Sequence, residues 1–121
     1  MEVKTIKKNE QGIAIVHSEK VLITDVQSAL DFMMTIQYDT GCNRVVLPKS
    51  AVVEEFFDLK TRIAGEVLQK FINYDVKLAI VGDFSGYTSK SLRDFIYECN
   101  SGKEIFFLPD EEQAIEKLSM R

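Results

Sequence analysis

The chain has 121 residues, room for one hydrophobic core but not for two that would each fold alone. Apolar residues make up 45% and charged residues 28%, which excludes a disordered or collagen-like chain. The formal charge of −4, from 15 basic and 19 acidic side chains, lacks the positive excess that drives nucleic-acid binding, so no nucleic-acid partner is expected.

VKTIK (Val3 to Lys7) and IAIV (Ile13 to Val16) flank the turn-prone Asn9 to Gly12, the pattern of an antiparallel hairpin at a sheet edge. Lys4, Lys7 and Lys8 beside Glu2 and Glu10 fit a solvated edge strand, where charge blocks intermolecular pairing. The second run is almost wholly apolar, which predicts a strand buried on both faces, continued or followed by VLI at Val21 to Ile23.

Thr24 and Asp25 can each cap the next helix by accepting from a free N–H in its first turn. Its apolar positions Val26, Ala29, Leu30, Met33 and Ile36 recur at three and four residues, and Gly41 is placed to end it. Met33 and Met34 read as packing residues. RVVLP (Arg44 to Pro48) is a short strand halted by proline. The longest helix follows, with Phe56, Leu59, Ile63, Val67, Leu68, Phe71 and Ile72 at helical spacing, Asp58 near its start and its end near Asn73 and Tyr74.

KLAIVGD (Lys77 to Asp83) is the next strand, bounded by the glycine-containing loop FSGYTS. Ser91 and Asp94 form an S-x-x-D capping box ahead of the stripe Leu92, Phe95, Ile96 and Cys99, and Gly102 closes that helix. EIFFLP (Glu104 to Pro109) is the last strand. Asp110 with Gln113 caps a C-terminal helix carrying Ala114, Ile115 and Leu118. A hairpin, three helix–strand units and a final helix make one α/β domain over residues 1–121, with a mostly parallel sheet of four to five strands and about four helices.

Ligands of open α/β sheets bind beyond the carboxyl ends of the strands, where loops and helix N-termini converge. Here that end gathers Lys49, the cluster Asp58, Lys60, Thr61 and Arg62, then Asp83, Ser85 and Ser89, a polar set of mixed charge. Most of these residue types are also good caps and turn formers. GDFSGYTSKS lacks both G-x-x-x-x-G-K-[ST] and G-x-G-x-x-G, so no nucleotide cofactor is expected. His17 is the single histidine and has no nucleophile or metal cluster around it in sequence. Glu54, Glu55 and Asp58 read as carboxylates favouring the positive end of the helix behind them. Cys42 and Cys99 lie far apart without C-x-x-C spacing, so neither a disulfide framework nor a zinc site is expected. Cys99 falls on an apolar helix face and reads as core, whereas Cys42, in a turn after Gly41, is open to a reactive-thiol role.

No run approaches the ~20 apolar residues that cross a bilayer, and MEVKTIKKNE has no signal-peptide core, so a cytoplasmic protein away from the membrane is expected.

The stretches ITDVQSALDF and FFDLKTRIAGEVLQKFINYDVKLAIVGDFSGYTSKSLRDFIYECNSGKEIFFLPDEEQAIEKL resemble the small bacterial proteins of domain-of-unknown-function family 4180, over nearly the whole chain. That resemblance implies no activity. A more distant one is to the STAS domains of anti-sigma-factor antagonists, in which a helix-start motif F-I-D-S-S-G carries a serine phosphorylated by a partner kinase. Phe56, Phe57 and Asp58 match its first three positions, while Leu59, Lys60 and Thr61 replace Ser-Ser-Gly, so only Thr61 could accept a phosphoryl group.

The resemblance implies a non-enzymatic, regulatory protein-interaction module, binding a protein partner or a second copy of itself through the face around Asp58 to Arg62 and the Ser85 to Ser91 loop. Exposure of Phe84, Tyr87 and Tyr38 would suit such a contact. The alternative is a small anion- or ligand-binding protein using the same strand ends through Lys49, Lys60, Thr61, Arg62 and Ser89.

Overall fold

The computed structural model describes residues 1–120. Its first two strands, β1 (Glu2–Lys8) and β2 (Gln11–His17), pair antiparallel from Glu2 opposite His17 to Lys8 opposite Gln11. Only Asn9 and Glu10 join them, at φ 52° and 68°, the two positive dihedrals that a two-residue turn needs to match the strand twist. β2 then pairs parallel with β3 (Arg44–Pro48), β3 with β4 (Lys77–Val81) and β4 with β5 (Ile105–Leu108).

Spatial order therefore follows chain order across all five strands. Every parallel crossover steps in the same direction, and crossovers of one hand then place their helices on one face. The packing agrees: α1 (Val26–Thr40), α2 (Ile63–Asn73) and α3 (Lys90–Ser101) share one core with Ala14, Val45, Leu78 and Phe107. The other face meets only α4 (Glu111–Leu118), whose Ala114 and Leu118 lie on Ile13, Ile15, Val46, Ala79 and Phe106. Successive side chains point to opposite faces of a strand, so Ile13 to Val16 must be apolar throughout. β1 lies at the edge and sends only Val3 and Ile6 toward the cores. The fold is α/β, with an N-terminal hairpin, a five-stranded mostly parallel sheet and four α-helices among the described residues, as the chain order predicts.

α1 starts where its caps predict. Asp25 accepts from the Ser28 N–H at 2.9 Å, and the Ser28 hydroxyl accepts from the Asp25 N–H at 3.1 Å. The Ser28 N–H and hydroxyl hold the Asp25 carboxyl below its ordinary pKa. Gly41, at φ 69°, ends the helix with its N–H on the Gln37 carbonyl. Met33 is buried, but Met34, one position round the helix, is 59% exposed, which corrects its reading as a packing residue.

A larger correction concerns α2, which begins at Ile63 and, at 11 residues, is shorter than both α1 and α3. The preceding stretch folds as three single-turn 3-10 helices, Lys49–Ala51, Glu54–Phe57 and Leu59–Thr61. Arg62 at φ 65° breaks the path between the last of them and α2. Asp58 consequently caps only the short turn, through the Lys60 N–H at 3.2 Å.

α3 is capped by Ser89, not Ser91, with the Leu92 N–H on its hydroxyl at 3.2 Å. Asp94 instead pairs with Lys90 at 2.7 Å. β4 and β5 are each shorter than their apolar runs suggest, ending at Val81 and Leu108. Cys42 is buried, against the reactive-thiol reading, and its Sγ would lie 3.3 Å from a Cβ on Gly12. Cys99 is only partly buried at the edge of the larger core, and that burial pushes its thiol pKa up, with Glu98 adding to the effect.

No described helix is long and apolar enough to cross a membrane.

Candidate functional site

At the carboxyl ends of the parallel strands, the β3–α2 connection is tied down before it reaches the surface. Ile23 forms an isolated parallel bridge with Val52, and the Leu22 and Ile23 N–H groups both reach the Ala51 carbonyl. Phe56 and Phe57 then turn inward together, ring centroids 5.0 Å apart, and both are buried. Phe57 stacks on Tyr87 at 5.3 Å and meets Phe84 at 5.8 Å, so two rings of the β4–α3 loop close over it. Phe84 and Tyr87 are thus half-buried parts of this cluster and not free contact residues; of the three expected at the surface, only Tyr38, 91% exposed, is open.

Lys49 and Glu54 lock the two loops. The Lys49 ammonium lies 5.1 Å from the ring centroids of both Phe57 and Tyr87, and 3.5 Å from the Glu54 carboxylate. The Tyr87 hydroxyl donates to the other Glu54 oxygen at 2.7 Å. The Tyr87 oxygen and the Glu54 carboxylate raise the Lys49 pKa against the opposing effect of burial, so the ammonium stays charged. Burial raises the Tyr87 pKa as well, which keeps its hydroxyl a donor.

Gly82 holds this arrangement from behind. A Cβ there would sit 2.6 Å from the Lys49 Cβ, an atom near the backbone that cannot swing aside. Gly82→Ala is therefore expected to cost about 1–2 kcal/mol and to displace Lys49 from between the two rings. Urea unfolding with NMR of the Tyr87 ring checks it; unchanged stability and ring shifts would show that the contact yields freely.

Beside the lock runs a shallow, open groove of about 420 Å³. Its walls carry the carboxylates of Glu54, Glu55 and Asp58; Phe57, Leu59 and Tyr87 form its floor, and Ser89 stands at its rim. Of the residues singled out from sequence, Asp58 and Ser89 meet here. Lys49 lies against the rings, where it also lowers the Asp83 pKa, although the larger causes for Asp83 are bonds from the Ser85 hydroxyl at 2.6 Å and the Ser85 N–H at 2.9 Å. Lys60, Thr61 and Arg62 are exposed on the 3-10 segment and do not line the groove. The Thr61 hydroxyl lies 2.8 Å from the Asp58 carbonyl and 2.9 Å from that of Glu55, so it serves the turn itself. His17 is remote from this set in its bonding, pairing with Glu111 at 3.0 Å. Among the described residues, no group of three or more His, Cys, Asp or Glu side chains is placed to hold a metal.

Sequence reasoning missed Glu54 and Tyr87 as partners. Nothing local links residues 33 positions apart, and the only visible signal was a pair of glutamates directly before two phenylalanines.

Comparison with known proteins gives a family. The family model described as Domain of unknown function (DUF4180) matches residues 8–118. No curated protein matches the chain. Among solved structures, a crystal structure of a candidate anti-sigma factor antagonist from Thermotoga maritima is similar over 98% of this chain and 95% of that one, at 12% identity and a TM-score of 0.47.

Proposed function

We propose that the chain, which belongs to the DUF4180 family, is a non-enzymatic, regulatory protein-interaction module of STAS-like kind. Its partner would bind across the groove formed by Glu54 to Asp58 and the β4–α3 loop. The observation that carries this reading is the groove itself, open and shallow, with three carboxylates above an apolar floor pinned in advance by the Lys49–Glu54–Tyr87 lock. An open, pre-ordered surface suits a segment of another protein better than it suits a substrate that must be enclosed. The resemblance of Phe56 to Asp58 to the STAS partner-binding stretch adds support.

The charge of the walls favours a partner segment bearing lysine or arginine beside an apolar residue. It disfavours the small-anion alternative, because no lysine or arginine lines the groove and Lys49, in the lock beside it, already faces Glu54. Exposed ion pairs contribute only about 0.2–1 kcal/mol each, so the carboxylates would set orientation and association rate while the floor supplies much of the affinity.

The test is capture from native extracts with the wild-type chain and with a Glu55→Lys, Asp58→Lys double variant. Both positions are exposed and the variant gives up only the Asp58 cap on the Lys60 N–H, so it should stay folded at a cost of about 0.5–2 kcal/mol, which thermal unfolding checks. A partner held by the wild type and bound about tenfold or more weakly by the variant is the expected result. A partner held equally by both, or no partner at all, would sink the reading. Light scattering on the wild type separates a foreign partner from a second copy of the chain.

A further inference from the structure

A second cavity lies on the other face of the sheet, near the opposite ends of the strands. It has a volume of about 210 Å³ and is lined by Lys77, Gly102, Lys103, Phe106, Lys117 and Met120. The topology brings these residues together: Lys77 opens β4, Lys103 precedes β5, Phe106 lies within β5 on the α4 side, and Lys117 stands in the last turn of α4.

Three lysines thus line one cavity beside an aromatic ring, and among the described residues no carboxylate lines the space. Among the described residues, none of the three is in an ion pair; the Lys117 ammonium only approaches the Phe106 ring, 6.0 Å from its centroid. Arg44, the register partner of Lys77 on β3, adds a fourth positive charge close by. Its Nη1 donates to the Leu118 and Met120 carbonyls, which fixes the end of α4 beside the cavity, while its buried Nε has no partner among the described residues. In a chain of net charge −4, these lysines and Arg44 concentrate positive charge beside an apolar wall.

We propose that this cavity binds a small organic anion, a carboxylate or phosphate group carried on an apolar body. The ammonium groups of Lys77, Lys103 and Lys117 receive the charged group, and Phe106 and Met120 receive the body. The cavity is below the ~300–1,000 Å³ that holds drug-sized molecules, so the body is a single ring or a short chain. Gly102 contributes backbone alone to the lining. This proposal is independent of the groove, which lies at the carboxyl ends of the strands and carries the opposite charge.

NMR titration of the full chain tests it, following the Met120 methyl and the Phe106 ring with phenyl phosphate, benzoate and inorganic phosphate as separate probes. Phenyl phosphate or benzoate should shift both signals saturably, and a Lys103→Gln, Lys117→Gln variant should bind about fivefold or more weakly. Both lysines are exposed, so the fold should persist, and the rest of the spectrum reports whether it does. The difference between the two aromatic probes tells a preference for carboxylate from one for phosphate. Absence of saturable shifts at millimolar concentration, equal binding by the variant, or inorganic phosphate binding as well as phenyl phosphate would each overturn it.

Discussion

Phe107→Ala is expected to lower the free energy of unfolding by about 3–5 kcal/mol, the range for truncating a buried phenylalanine. The ring is 3% exposed and contacts four others: Phe84 at 5.5 Å, Phe95 at 6.2 Å, and Phe56 and Phe57 at 6.4 Å each. These neighbours come from the 3-10 segment, the β4–α3 loop and α3, so no single element can move in to fill the space. Domains of this kind have about 5–15 kcal/mol in total, so the variant would lose a large share of its stability. Phe107→Leu, which keeps most of the volume, should cost under about 1.5 kcal/mol. Urea denaturation of both variants measures the difference. A loss below about 1 kcal/mol for Phe107→Ala would mean that the aromatic cluster repacks and does not hold the groove rigid. The functional consequence follows from Phe57 and Phe84, which touch both Phe107 and each other: a cavity beneath them would let the groove floor and its lock separate.

The same cluster explains what could be read in the sequence and what could not. β2 and β3 were legible because burial on both faces leaves no alternative to a continuous apolar run. α1 was legible because a capping residue, a 3.6-residue stripe and a terminal glycine all agree over 15 residues. The start of α2 was misread because Phe56, Leu59 and Ile63 repeat at three and four residues, a spacing that successive 3-10 turns imitate over so short a distance. What separates the two is the left-handed Arg62, an arginine where composition gives no sign of a positive φ. Ser89 displaced Ser91 as the cap of α3 for a related reason, since several serines were available and only the path of the loop chooses among them.

The site divides in the same way. Asp58 and Ser89 could be placed because polar residues after strand ends gather at one edge of a parallel sheet. The character of the site could not. Lys60 and Arg62 were candidates to hold an anion, yet the groove is lined by carboxylates and neither cation reaches its lining. The partnership of Glu54 with Tyr87 depends on Phe57 and Lys49 lying between the loops, a three-dimensional fact with no counterpart in local spacing.

Asn100→Ala is expected to cost about 2–4 kcal/mol and to promote self-association through β5. β5 is the sheet edge opposite β1, and all four of its residues are buried. Its inner side is occupied, since the Gly82 and Leu78 N–H groups reach the Leu108 and Glu104 carbonyls. The outward N–H and C=O of Phe107 would be left to pair with another strand. Asn100 on α3 takes both: its side-chain carbonyl accepts from the Phe107 N–H at 2.7 Å and its amide donates to the Phe107 carbonyl at 3.0 Å. One side chain thereby stands in for a neighbouring strand and covers the edge, which β1 instead protects with charge. Alanine would leave two backbone groups unsatisfied, at about 1–3 kcal/mol each before any water reaches them.

Asn100→Asp separates the two bonds. The substituted carboxyl can still accept from the Phe107 N–H, but when ionised it faces the Phe107 carbonyl with no proton to donate. That opposition should raise its pKa in the folded state above the unfolded value of about 3.9. Relative to wild type, its stability should then be best preserved below that pH and lost as pH rises through the folded pKa. Thermal unfolding of wild type and variant side by side from acid to neutral pH measures the gap, and light scattering follows association. A gap independent of pH would deny the amide-to-carbonyl bond its role, and an Asn100→Ala variant that stays as stable and as dispersed as wild type would show that the β5 edge needs no cover.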